Sequence, residues 1–75
     1  MSESRDRFVR LAEARTRKTI KDIRLIGNLS NRSNYSYGEE DVRKIFRALT
    51  EELKRAQRRF ESAGGDADEV DFKLD

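Results

Sequence analysis

Residues 28–36 read Asn-Leu-Ser, Asn-Arg-Ser and Asn-Tyr-Ser in succession, and nothing else in the chain restricts its fold as much. Asn and Ser side chains compete for backbone hydrogen bonds, so such a run favours turns over a helix interior. Long charged segments with helical periodicity flank it on both sides. The sequence therefore predicts two helices and a link. The three Asn-x-Ser triplets are formally glycosylation acceptors. Without a secretion signal they are read as loop chemistry.

The first helix is predicted over about residues 5–29. Phe8, Ala12, Thr19, Ile23 and Ile26 recur at helical spacings and share one face. Val9, Thr16, Ile20 and Gly27 widen it on one side, and Leu11, Leu25 and Leu29 lie on the other flank. Arg15, near the edge, has to snorkel or find a carboxylate. The second helix is predicted over about residues 39–62. Val42, Phe46, Leu49, Leu53, Ala56 and Phe60 follow spacings of four, three, four, three and four, an a/d heptad seam widened by Ile45.

The start of the second helix is predicted at Gly38 as N-cap. Glu39, Glu40 and Asp41 then fill the first turn, where the helix dipole favours anions. Tyr37 and Val42 take the positions of a hydrophobic staple. The rival N-cap, Ser36 with Glu39 completing a capping box, loses that staple. Glu39–Arg43, Glu40–Lys44 and Glu51–Arg55 are i,i+4 pairs in the favourable order, each contributing about 0.2–0.5 kcal/mol.

The link, about residues 30–38, is long for a helical hairpin. Tyr35 and Tyr37 are expected to fold back over its end. The alternative is a recognition tip formed by Arg32, Asn34 and Tyr35. From Ser62-Ala63-Gly64-Gly65 onward the helix is expected to break, leading into a flexible acidic tail, residues 63–75. In it Val70, Phe72 and Leu74 alternate with Asp71 and Lys73, a strand period suited to a sheet edge or a partner groove. A merely solubilising tail is the other reading.

The chain has no Cys and no His, which removes disulfides, thiolate chemistry, the commonest general base and the commonest transition-metal ligand. No catalytic constellation is found: Ser and Thr lack a His partner, and Lys18 and Lys21 sit among like charges. Glu39, Glu40 and Asp41 are explained by the helix start rather than by a cation. No cofactor, metal site or enzymatic activity is expected. The polar start, Met1 to Asp6, lacks the apolar stretch of a signal peptide, and no apolar run is long enough to span a bilayer, so a cytoplasmic location is expected.

The net charge of +2 hides a gradient. Arg7, Arg10, Arg17, Lys18, Lys21 and Arg24 lie opposite the apolar stripe of the first helix, interrupted by Glu13. This is either a solvated face or a phosphate-binding stripe about 25 Å long. It lacks interleaved aromatics for base stacking, so nucleic-acid binding there would be weakly selective and strongly salt-dependent. Membrane-surface binding is not expected, because the apolar face is needed within the protein.

The segment Ile23-Arg24-Leu25-Ile26-Gly27-Asn28-Leu29-Ser30-Asn31, with Tyr35-Ser36-Tyr37-Gly38-Glu39-Glu40-Asp41-Val42 after it, resembles a group of short bacterial hairpin proteins without an assigned activity. The resemblance covers most of residues 8–60. It implies a bacterial cytoplasmic protein and supplies no site residues.

The sequence thus predicts an all-α antiparallel two-helix hairpin over residues 1–62. A lone hairpin leaves each apolar side chain open on one side, which favours two hairpins pairing as a four-helix bundle, a homodimer. The expected function is a non-enzymatic interaction module, with an accessory nucleic-acid binder as the alternative.

Overall fold

The structure is a computed structural model that describes residues 2–64, with side chains described over 2–63. Its described residues are helical apart from the link, and none lies in a strand. Helix α1 spans Glu3–Gly27, a single 3₁₀ turn spans Asn28–Ser30, and helix α2 spans Glu39–Gly64. The chain divides into two compact units between Ser36 and Tyr37.

Helix α1 begins two residues earlier than the periodicity predicts, because Ser2 caps it. Ser2 is extended (φ −84°, ψ 150°), and its hydroxyl accepts a hydrogen bond from the Arg5 backbone N–H at 3.1 Å. Its carbonyl accepts from the Asp6 N–H, also at 3.1 Å. One orphan donor of the first turn is thereby satisfied. Glu3 and Asp6 complement the positive end of the dipole.

The other end of α1 also departs from expectation. Gly27 keeps right-handed helical angles (φ −59°, ψ −31°), as does Asn28 after it (φ −65°, ψ −17°). No left-handed C-cap forms. The chain tightens into the 3₁₀ turn instead, a usual way to satisfy terminal groups, and becomes extended only at Asn31 (ψ 101°).

Asn31 then organises the link. Its side-chain oxygen accepts from the Ser33 N–H at 3.0 Å and the Ser33 hydroxyl at 2.6 Å. Its carbonyl accepts from the N–H groups of Asn34 and Tyr35, at 3.1 and 3.0 Å. The expected competition of Asn and Ser side chains for backbone groups is realised here as an Asx-turn. Residues 31–38 do not continue as helix.

Helix α2 starts as predicted. The Gly38 carbonyl accepts from the Val42 N–H at 3.3 Å, the first intrahelical bond. The Gly38 N–H donates to the Asp41 carboxylate at 2.9 Å, half of a capping box, with Asp41 in the place of the usual Glu or Gln. The helix runs two residues beyond the predicted end, through Gly64. The break expected at Ser62 therefore does not occur there. Residues 65–75, most of the predicted tail, lie outside the described residues.

Burial differs most from expectation. Among the described residues no side chain is buried. Phe46 is 47% exposed, Leu53 64% and Phe60 68%, while Leu49 is half-buried. The expected loss of water contact by the α2 seam is therefore absent in the single chain. A helix shields its stripe only with its own neighbouring turns, and one-sided shielding leaves large side chains about half exposed. In α1, Val9, Leu11, Ala12 and Ile26 are half-buried in this way, whereas Phe8, Ile20, Ile23, Leu25 and Leu29 are exposed.

Candidate interaction surfaces

Three kinds of surface follow from this geometry: a basic face on each helix, an apolar stripe on each helix, and the link.

Arg7, Arg10, Arg17, Lys18, Lys21 and Arg24 are all exposed on α1, as a row opposite the apolar stripe requires. Lys18 is held by Asp22 at 3.0 Å, four residues on. The pair is exposed on both sides, so it contributes at most about 1 kcal/mol and yields to a stronger anion. Arg17 lines an open, shallow concavity with Ala12, Glu13 and Thr16. Its walls are mostly aliphatic stem, with no converging polar groups that would make it a small-molecule site.

A second basic face was missed from sequence. Arg47, Lys54 and Arg58 sit at i, i+7 and i+11 on α2, on the side away from its seam, flanked by Lys44 and Arg55. All five are exposed. Summed over the whole helix, their charge is masked mainly by Glu39, Glu40 and Asp41, and Glu51, four residues after Arg47, interrupts the row. Treating the first turn separately would have found it.

Ion pairing on α2 corrects the expected pattern in part. Glu39 and Arg43 approach to 3.9 Å as predicted. Glu40, however, is bound by Arg43 at 2.7 Å rather than by Lys44. Arg55 reaches Glu52, three residues back, at 2.8 Å rather than Glu51. Spacings of three and four are both accessible on a helix surface, and the rotamer of the Arg fork decides between them.

Besides Thr16 on its widened side, the apolar stripe of α1 carries a polar group at its centre, Thr19. Its hydroxyl donates to the Arg15 carbonyl at 2.8 Å, so its hydrogen-bonding need is met within the helix. Near the start of the stripe the Arg5 guanidinium lies 5.8 Å from the centre of the Phe8 ring, within range of a cation–π contact. On α2 the seam residues Val42, Ile45, Phe46, Leu53 and Phe60 are exposed in one row.

Arg32, Asn34 and Tyr35 stand on the link and are exposed, Tyr35 by 48%. The backbone of Asn34 and Tyr35 is tied to Asn31. Tyr37 is half-buried. The remaining candidate contacts, Val70, Phe72 and Leu74, lie outside the described residues. Among the described residues no group of three or more acidic side chains could hold a metal ion. Among them, too, no helix is long and apolar enough to cross a membrane.

No family model matches the chain, and neither a curated protein nor a solved structure does so.

Proposed function

We propose that this protein is a small non-enzymatic interaction module that works as a homodimer. In this reading α1 and α2 fold back as an antiparallel hairpin, and two hairpins pair as a four-helix bundle. One observation carries it: both helices have long apolar stripes that remain exposed in the single chain. Burying one such side chain is worth about 1.5–3 kcal/mol, far more than any exposed ion pair described above. Patches of this kind on a small domain commonly mark an association surface. The link residues Arg32, Asn34 and Tyr35, and the segment around Phe72, would be left for other proteins. A bacterial cytoplasmic setting, implied by the resemblance noted in the sequence, suits this role.

Light scattering at tens of micromolar, with circular dichroism on the same sample, tests the reading. A dimer mass is expected. A monomer mass with full helicity would overturn it. For the partner surfaces, a pull-down with and without residues 66–75 should lose partners on truncation. An unchanged set removes the tail as a docking element.

A second reading is accessory nucleic-acid binding, and the two exposed basic faces favour it. It predicts binding that falls steeply with salt and weakens when Arg17 and Lys21 are both changed to Glu. Absent or salt-insensitive binding to DNA and RNA would remove it.

A further inference from the structure

Resting on the proposed self-association, the residue order along α2 points to how two copies meet. We propose that α2 pairs with α2 of a second copy in antiparallel order, about a two-fold axis near Glu51. Val42 then faces Phe60 of the second copy, Phe46 faces Ala56, and Leu49 faces Leu53.

The first argument is size. In heptad terms the a positions hold Phe46, Leu53 and Phe60, and the d positions hold Val42, Leu49, Ala56 and Ala63. Parallel pairing stacks like on like. It would set a Phe–Phe layer between two Ala–Ala layers, crowding one level and leaving gaps at the next, and both faults are destabilising. Antiparallel pairing always sets an a residue against a d residue. Each Phe then meets Val or Ala, and the central layers are Leu against Leu.

The second argument is charge. Glu39, Glu40 and Asp41 make the first turn of α2 acidic, while in its second half Lys54, Arg55, Arg58 and Arg59 outnumber Glu52 and Glu61. Parallel pairing aligns acid with acid and base with base. Antiparallel pairing separates the two acidic first turns, each then level with residues 61–63 of the other copy and about one turn beyond its Arg58 and Arg59, and it also opposes the two helix dipoles.

The third argument fixes the register. The stated layers overlap Glu39–Gly64 with its copy over nearly the whole helix and use all six seam residues. Slipping by one heptad would form Glu52–Arg59 pairs between copies. It would also exchange Val42 for Ala63 in the seam and leave the acidic turn overhanging. In the stated register Glu52 faces Glu52 of the second copy, a repulsion softened by Arg55 at 2.8 Å within each helix.

The chain has no Cys, so single spin labels can be placed at Lys44→Cys and Glu61→Cys, both exposed and off the seam. Pulsed dipolar spectroscopy reads the separation of each label from its copy. The proposed arrangement gives axial separations of about 21 Å at position 44 and about 30 Å at position 61, so position 61 is the longer. The slipped register reverses the order, to about 31 and about 20 Å, and parallel pairing gives equal short separations. Either result overturns the proposal while leaving self-association in place. No dipolar coupling, with a monomer mass, overturns both. An independent check is Glu52→Gln. It should tighten the dimer about twofold by removing the axial repulsion, and a weakened dimer would indicate the slipped register.

Discussion

At the scale of single residues, the positions that matter are those where a side chain satisfies the backbone. Asn31 is the clearest: one side-chain oxygen and one carbonyl hold three residues of the link. Asn31→Ala removes an acceptor from two donors, and a loss of about 1 kcal/mol in unfolding free energy is expected by denaturant titration. Gly27 offers the opposite case. Its angles are helical, and an added Cβ would meet nothing within 4 Å. Gly27→Ala should therefore stabilise by about 0.5–1 kcal/mol, read as a raised denaturation midpoint. A loss instead would mean that another helix approaches closely there. Thr19→Val should be nearly neutral or stabilising by the same measurement, since the Thr19 hydroxyl bonds only within its own helix.

At the scale of elements, the two helices and the position of the link were legible in the sequence, and so was the start of α2. Gly38 announced itself because three acids and an apolar residue follow it in order. The start of α1 was not legible in the same way. Ser2 caps through geometry alone, several residues before Phe8, the first large apolar side chain of the stripe. The partner of Arg55 was also out of reach, because Glu51 and Glu52 are adjacent and the Arg fork reaches either. The candidate site was legible as residue types on faces. What covers the apolar faces was not, since periodicity shows that a stripe exists without naming its neighbour. The first turn of α2 gives a prediction at this scale. Asp41→Ala removes the acceptor for the Gly38 N–H and an acid from the first turn. Helicity should drop most at that end, with a stability loss of about 0.5–1.5 kcal/mol by thermal melting.

At the scale of the whole molecule, stability should depend on protein concentration. If the stripes are covered only on association, the melting temperature rises with concentration, because folding is linked to assembly by mass action. A melting temperature constant over a hundredfold concentration range would contradict dimerisation. The basic faces act at this scale too. Raising salt should weaken polyanion binding, if present, while leaving the apolar association intact or stronger.

The absence of any sealed interior among the described residues has a further consequence. If a second copy covers the stripes, dilution does the work of a denaturant. Backbone amides of an isolated copy should trade their hydrogens for deuterium within the fast regime of fraying helices, and slow down only in company. The order of this protein would then be a property of its population, adjustable by expression level alone.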